Sequence, residues 1–288
     1  IIYAEKEKKK NLLIYDAINK ILIKNRLKAP KLFKQNYNQN FIEIEDFGII
    51  SINSILKKKN KLSIFKKIIL LLQKIQKIKD VEIKNFKDKK YKLPVYSKRL
   101  LLNEAHLFLK WYIPNNLIKK KNKLLQKRLK KEIKNLLSKL KLNNDTFVHR
   151  DFHVSNLMKV KKKIGILDSQ DALIGNKAYD LASLIDDVRF VTSKKFKNSI
   201  YNFYINLNKS KINKNYFRND FEILSVLRNL KVIGIFTRLA VRDNKKKYLK
   251  MIPYTWYLIE SRINNNKIFN SLKKCLDEYF TKKIRTKK

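Results

Sequence analysis

The alternation of apolar and polar positions predicts strand, helix and strand in the first fifty residues. Residues 1–4 are an apolar run typical of a strand. Apolar side chains then recur at helical spacing through residues 12–22, and Pro30 marks the break after this helix. Residues 41–45 alternate between apolar and charged side chains, as in a half-buried strand, before a turn at Gly48.

From residue 51 onward the pattern is mainly helical. The predicted helical segments are 51–75, 100–112, 119–142, 196–207, 220–242, 248–263 and 268–280. Between the third and fourth of these, residues 147–148 end one short apolar strand and residues 164–167 form another. A polar turn of lysines precedes the second strand, and we expect the two strands to pair as a hairpin. The pattern therefore predicts an α+β chain with many helices.

Polar side chains follow both of these predicted strands. Asp151 follows the first strand, Asn156 lies five positions later, and Asp168 ends the second strand. A hairpin would bring the three side chains to one end of the strand pair. One carboxylate can accept a hydroxyl proton, and the other carboxylate and the amide oxygen are hard ligands suited to Mg²⁺. Phosphoryl transfer needs both a positioned base and a metal ion.

The spacing of these residues makes the signal specific. Residues 149–156 match H-R-D-x-x-x-x-N, the pattern of a kinase catalytic loop. For Asp151 or Asp168 alone, a turn-forming or capping carboxylate is the simpler explanation. Both together, with His149 and Asn156 in register between apolar strands, favour phosphoryl-transfer chemistry.

Residues beyond Asp168 distinguish this chain from protein kinases, because Ser-Gln-Asp replaces the Phe-Gly dipeptide and no Ala-Pro-Glu follows. Residues 171–182 instead match D-x-x-x-G-x-x-x-Y-D-L-A, and the chain resembles the aminoglycoside phosphotransferase and choline kinase superfamily. Segments 149–158, 167–175 and 228–253 are also similar to the bacterial cell-wall amino-sugar kinases, which phosphorylate the anomeric hydroxyl of N-acetylmuramate and N-acetylglucosamine.

The resemblance implies an α+β, protein-kinase-like fold with two lobes. A truncated N-terminal lobe would cover residues 1–48 and end in the hinge, and a large helical C-terminal lobe would cover residues 49–288. Asp151 would be the catalytic base, and Asn156 and Asp168 would hold Mg²⁺. Asp171 is a weaker candidate for a second metal or for bracing the loop.

The hinge would hold the other cofactor, ATP. The resemblance implies that backbone groups of Glu45, Asp46 and Phe47 bind the adenine, although a plain strand ending in a Gly turn explains this segment equally well. His149 would brace the backbone. Asp180 would cap helix N–H groups and support the catalytic loop.

The resemblance also implies that Glu104 and Arg228 lie near the small-molecule acceptor, and His153, a further substrate-side candidate, could approach phosphate oxygens. Arg228 could pair with the carboxylate of a sugar such as N-acetylmuramate, although a polar helix face explains it slightly better. A structural contact explains His153 equally well. Trp111 follows Glu104 at helical spacing, and we expect it in the core rather than in the pocket.

Composition limits the other classes of function. The formal net charge is +45, from 69 Lys and Arg against 24 Asp and Glu, which would favour nucleic acid or anionic membranes. Lysine runs, however, are spread over residues 8–10, 57–59, 119–121 and 245–247 without interleaved aromatic residues. We therefore expect solvated surface and no specific nucleic-acid recognition.

Compartment and membrane signals are few. The single cysteine, Cys275, excludes an internal disulfide and fits a reducing cytosol. No apolar run is long enough for a membrane span, and no signal peptide opens the chain. The expected location is the cytoplasm.

A glycine-rich phosphate loop and an ATP-holding lysine on a strand are missing from the pattern before residue 48; Lys6 and Lys8 come nearest. The sequence therefore predicts further chain before residue 1. Two other classes stay open: a pseudokinase or nucleotide-binding module of a longer polypeptide, and a basic RNA-binding protein linked to RNA modification. Among kinases, choline, aminoglycoside and homoserine acceptors also stay open, since pocket residues decide the acceptor.

Overall fold

The structure, a computed structural model, describes residues 1–56, 61–117 and 119–287. These residues form two compact units, Ile1–Val95 with Asn143–Lys209 and Tyr96–Leu142 with Ser210–Lys288. The units do not follow the lobe boundary at residue 48 that the family resemblance implies, and that boundary stays a prediction. The lysine run at 57–59 lies outside the described residues.

The first unit contains all the described strands and five helices. Its elements are β1 (Ile2–Tyr3), α1 (Lys10–Lys24), β2 (Leu32–Asn36), β3 (Phe41–Ile44), α2 (Ile52–Leu56), α3 (Lys61–Gln76), β4 (Glu82–Lys84), β5 (Lys90–Lys92), β6 (Asn144–Val148), β7 (Leu157–Val160), β8 (Lys163–Ile166), β9 (Leu173–Asn176), α7 (Ala178–Ile185) and α8 (Lys194–Leu207). The helix predicted over 51–75 is α2 and α3, with residues 57–60 between them outside the described part.

The first sheet is antiparallel with strand order β1-β3-β2, and α1 covers one face of it. Leu12 and Tyr15 of α1 pack with Ile42 of β3 in one buried cluster. The strand–helix–strand prediction for this segment is therefore confirmed, because apolar side chains on one face of α1 had to be buried against a sheet.

The pairing predicted for the later strands is wrong. β6 pairs with β9, and β8 pairs with β7, all antiparallel. The strand from 157 to 160 was missed, and it lies one short lysine turn away from β8. A two-residue connection closes a hairpin at a lower entropic cost than the long loop from residue 148 to residue 164.

The second unit is helical throughout its described part. Its elements are α4 (Lys98–Leu107), a π-helical turn (Phe108–Tyr112), α5 (Ile113–Asn116), α6 (Lys119–Ser138), α9 (Lys214–Val241), a 3₁₀ turn (Lys246–Met251), α10 (Ile252–Ile263), α11 (Asn270–Tyr279) and α12 (Lys282–Thr286). The predicted helix ends agree with these to within a few residues, apart from α9, which begins six residues earlier, and α10, which starts only after the 3₁₀ turn.

Aromatic rings fill the centre of the second unit. Phe108, Tyr112, Trp256 and Phe280 lie with ring centroids 5.1–5.9 Å apart. The Trp256 indole donates a hydrogen bond to the Tyr112 hydroxyl at 3.0 Å, and burial raises the pKa of Tyr112 to about 12. Trp111 lies in the same π-helical turn and is only half-buried. Its neighbours Phe108 and Tyr112, rather than Trp111, therefore fill the core.

A glycine sets the distance between two helices of this unit. A Cβ atom on Gly234 of α9 would lie 2.3 Å from the carbonyl carbon of Leu107 and 2.5 Å from the nitrogen of Phe108. These are backbone atoms, so they cannot rotate away. The approach of α9 to the end of α4 therefore requires glycine at this position.

We expect Gly234→Ala to destabilise the protein by about 1–3 kcal/mol, because overpacking a tight contact outweighs the gain of about 1 kcal/mol in helix propensity. Thermal or urea unfolding measures the change. Val241→Ala on the same helix, where the side chain is 55% exposed, is the matched control and should change stability little. A Gly234→Ala protein as stable as wild type would contradict the close contact.

Candidate active site

The catalytic loop is held by one buried carboxylate. Asp180, on α7, is fully buried. Its two oxygens accept hydrogen bonds from the backbone amides of His149 at 2.7 Å and Arg150 at 3.0 Å. Charge-assisted bonds to two successive amides fix the path of the chain where β6 ends. Asp180 therefore positions Asp151, the next residue.

The His149 ring ties the same loop to the residue before Asp168. Its Nε2 lies 3.0 Å from the carbonyl oxygen of Leu167. A carbonyl can only accept, so Nε2 carries the proton. Burial lowers the pKa of His149, which keeps the ring neutral. This geometry suits a structural brace rather than a proton carrier.

Asn156 links the catalytic loop to the strand that leads to Asp168. Its side-chain nitrogen donates to the backbone carbonyl oxygen of Asp151 at 3.1 Å, and its backbone carbonyl accepts from the backbone amide of Leu167 at 2.9 Å. Because the Asn156 nitrogen is used within the loop, its amide oxygen is the atom left to serve as a metal ligand.

Asp168 adopts a left-handed backbone conformation with φ of 57°. Such conformations are costly for a residue with a side chain and are common at functional sites. Its side chain keeps solvent contact. Even so, desolvation, and then the negative charges of Asp151 and Asp171, raise the pKa of Asp168. The three carboxylates therefore repel one another across a shared space.

This donor set fits a magnesium ion. Mg²⁺ prefers oxygen ligands and is commonly bound by one or two carboxylates, with phosphates and water completing the shell. Among the described residues no group of three His, Cys, Asp or Glu side chains forms a complete metal cage. Phosphate and water oxygens would complete the coordination shell of an ion held by these residues.

Two side chains that were not predicted fix the turn after Asp168. The Arg150 guanidinium donates to the Asp171 backbone carbonyl at 3.2 Å and to its Oδ1 at 3.3 Å. The Ser169 hydroxyl donates to Oδ1 of Asn19, on α1, at 2.6 Å. Arg150 could have been found within the H-R-D motif. Asn19 carries no signal in the sequence, since only the fold brings α1 to this turn.

The predicted hinge residues lie at the end of β3. Glu45 forms an ion pair with Lys28 at 2.5 Å, and this pair lowers the pKa of Glu45 although desolvation opposes it. The Glu45 amide donates to the Lys31 carbonyl at 2.8 Å, so only its carbonyl remains for a ligand. The Asp46 carboxylate accepts from the Gly48 amide at 2.8 Å and shapes the turn.

Phe47 connects this segment to the hairpin of β7 and β8. Its buried ring lies on Gly165 of β8, where a Cβ atom would be 2.5 Å from the ring. The Lys28 ammonium lies 5.1 Å from the centre of the same ring. Lys28 was not predicted, because it lies in a loop. Of the two lysines that were considered, Lys8 pairs with Glu5, and Lys6 is in a 3₁₀ turn.

His153 is buried in the catalytic loop of the first unit, where its backbone bonds to Asp151 and Asn156. The other acceptor-side candidates belong to the second unit. Glu104, on α4, accepts from the Tyr96 hydroxyl and forms an ion pair with Lys231 at 3.1 Å. Arg228, on α9, is 5% exposed, and within the described residues its Nη1 has no hydrogen-bond partner.

Comparisons with known proteins agree with this geometry. Residues 25–206, more than half of the chain, match the model of the phosphotransferase enzyme family. The N-acetylmuramate/N-acetylglucosamine kinase of Neisseria meningitidis serogroup B is 35% identical over 56% of this chain and 50% of its own length. The kinase of the same name from Pseudomonas aeruginosa is 29% identical over 82% of this chain and 68% of its own length.

A solved structure shows the same fold. The aminoglycoside phosphotransferase APH(2'')-Ib, bound to ADP, has a TM-score of 0.58 and 16% identity, covering 90% of this chain and 84% of that one. This likeness confirms the protein-kinase-like α+β fold that the motifs predicted. Because a family model covers most of its length and the catalytic-loop geometry agrees with it, the chain belongs to the phosphotransferase enzyme family.

Proposed function

We propose that this protein transfers the γ-phosphoryl group of ATP to a hydroxyl of a small molecule, in a magnesium-dependent reaction. One observation carries the proposal: the loop of Asp151 and Asn156, held by Asp180 and His149, lies beside the segment of Asp168. Positioning and charge neutralisation supply most of the catalysis in phosphoryl transfer; these residues would supply the positioning, and the metal ion that they would hold would supply the neutralisation.

In this proposal Asp151 orients the acceptor hydroxyl and takes its proton. Asn156 and Asp168 would hold Mg²⁺, and Asp171 would be a weaker candidate for a second metal ion or would brace the loop. The ion would neutralise the negative charge on the phosphates. It would also relieve the repulsion between Asp168, Asp151 and Asp171. That repulsion supports a cation site, because clustered carboxylates without a cation are costly.

The nucleotide would lie against the segment of Glu45, Asp46 and Phe47. The Glu45 amide is already bonded, so the proposal assigns adenine recognition to the Glu45 carbonyl and the Phe47 amide. A carbonyl acceptor and an amide donor two residues apart can match the donor and acceptor on one edge of adenine.

The acceptor is proposed to be an amino sugar of the N-acetylmuramate or N-acetylglucosamine type. The names of the two relatives support this choice. Glu104, His153 and Arg228 are the proposed acceptor residues. Arg228 is the cation among them, and its Nη1 has no hydrogen-bond partner within the described residues, so it is the group proposed to recognise a carboxylate.

A panel of acceptors with ATP and Mg²⁺, read by the mass of the phosphorylated product, tests the proposal. The panel includes both amino sugars, choline, an aminoglycoside and homoserine. Phosphorylation of an amino sugar is the expected result. Binding of ATP without turnover on any acceptor would favour a pseudokinase, and salt-sensitive RNA binding without ATP binding would favour a nucleic-acid protein.

Replacing the proposed base should separate chemistry from binding. We expect Asp151→Asn to lower turnover by about a thousandfold or more, since general-base catalysis contributes roughly 10²–10⁴-fold, while ATP affinity stays nearly unchanged. A kinase assay and calorimetry measure the two quantities. Asp145→Asn, on the exposed end of β6, is the control. An equal loss of turnover and of ATP affinity would contradict the role of Asp151.

Removing the Asp168 charge should stabilise the metal-free protein. The pKa of Asp168 is raised in the folded protein, so the ionised carboxylate destabilises the folded state at neutral pH. Protonation removes this destabilisation as the pH falls through the pKa. We therefore expect Asp168→Asn to raise the melting temperature at pH 7 without Mg²⁺. The gain should shrink below pH 4, and the variant should lose Mg²⁺-dependent nucleotide binding. A lower melting temperature of the variant at pH 7 would contradict the charge repulsion between Asp168, Asp151 and Asp171.

The role of Arg228 can be separated by comparing the two sugars. Arg228→Gln should raise KM for N-acetylmuramate about 10–100-fold, the equivalent of losing a charge-assisted hydrogen bond. KM for N-acetylglucosamine, which lacks the carboxylate, should change little. Arg218→Gln, on the same helix with an exposed side chain, is the control. An equal effect on both sugars would assign Arg228 to the helix rather than to the acceptor.

A further inference from the structure

We propose that the first unit carries a docking groove for an acidic amphipathic helix of a partner protein. The groove encloses about 730 Å³. Six isoleucines between residues 49 and 164 form its apolar surface, and Lys67, Lys159 and the three lysines at 161–163 form its rim. These residues define the Ile–Lys groove.

The apolar surface is open to solvent where the groove begins. Ile49 is 97% exposed and Ile50 is 48% exposed. The segment is nevertheless fixed, because the Lys159 amide donates to the Ile50 carbonyl at 2.9 Å and Ser51 bridges to Met158. Contiguous exposed apolar surface with a polar rim marks an interaction site. The groove is therefore built on rigid backbone rather than formed by a loose loop.

The rim is basic and uncompensated. No acidic side chain is among the residues that line the groove, and in the described part of the chain its five ammonium groups form no ion pair. An adjoining cavity of about 370 Å³ shares three of the rim lysines, and its other cationic side chains are Arg26, Lys28 and Lys74.

The basic rim is not only a result of the lysine-rich composition. A cavity of about 190 Å³ in the second unit has one lysine among nine lining residues, compared with five among twelve in the Ile–Lys groove. Cationic side chains are therefore concentrated beside this apolar surface.

The charge and shape of the groove indicate which class of molecule it binds. A second copy of this chain, also at +45, would be repelled. Single-stranded nucleic acid binds through stacking on aromatic rings, and the groove lining contains none. A flat membrane does not fill a concave surface. An amphipathic helix places apolar side chains at i, i+3, i+4 and i+7 into such a groove, and flanking Glu or Asp side chains would meet the lysines.

The test uses a fluorescent model helix of about 18 residues, with leucine on one face and glutamate on the other. Binding is measured by anisotropy at two salt concentrations. We expect binding that weakens as salt rises, at least tenfold weaker binding to the Lys161→Glu/Lys162→Glu/Lys163→Glu protein, and at least fivefold weaker binding to Ile49→Asp. The matched control, Lys245→Glu/Lys246→Glu/Lys247→Glu, changes the net charge equally and should bind within twofold of wild type.

Two further measurements test where the helix binds and whether binding depends on its sequence pattern. Hydrogen exchange should slow at residues 49–55 and 159–164 when the helix is bound. The proposal is overturned if a scrambled peptide of the same composition binds as well, or if the control triple variant weakens binding as much as the groove variant. Anionic vesicles or an oligonucleotide binding through the groove residues in place of the helix would also overturn it.

Discussion

The active-site geometry depends on one buried carboxylate bonded to two backbone amides. Asp180 accepts from His149 and Arg150 at 2.7 and 3.0 Å. An unpaired buried charge would cost several kcal/mol, so Asp180 keeps the catalytic loop against α7. Arg150 has a φ of 70°, a strained backbone conformation. Without the contact to Asp180, nothing would hold the loop backbone in this conformation.

The rigid loop brings negatively charged side chains close together. Asp151, Asp168 and Asp171 lie close enough for their charges to raise the pKa of Asp168, and Arg150 offsets part of this charge at Asp171. The chain carries +45 overall, so this acidic site lies within a strongly basic protein. An anionic nucleotide would be attracted over long range by the basic surface.

In the second unit, the aromatic cluster around Trp256 and the close approach at Gly234 hold the helices together. Its polar groups are arranged differently from those of the catalytic loop. Glu104 and Lys231 compensate each other's charge, and Nη1 of Arg228 has no hydrogen-bond partner in the part of the chain that the structure describes. The family sets the reaction type, whereas such individual side chains decide the acceptor.

The sequence alone determined the family, the fold class and the composition of the site. Residues 149–156 and 171–182 carry motifs whose spacing reflects local chemistry, and helical periodicity gave most of the helices because burying one face requires it. Strand pairing was different. The partners of β6 and β8 were predicted wrongly, since short apolar runs do not encode which strand lies beside them.

Only the tertiary structure decided which distant residues support the site. Asn19 reaches Ser169 across 150 positions, and Lys28 reaches Glu45 and Phe47 from a loop. None of these contacts has a local pattern, because each depends on how separate elements pack. For the same reason, the Ile–Lys groove depends on the fold, which brings residues 49–55, Ile64 and Lys67 beside residues 159–164.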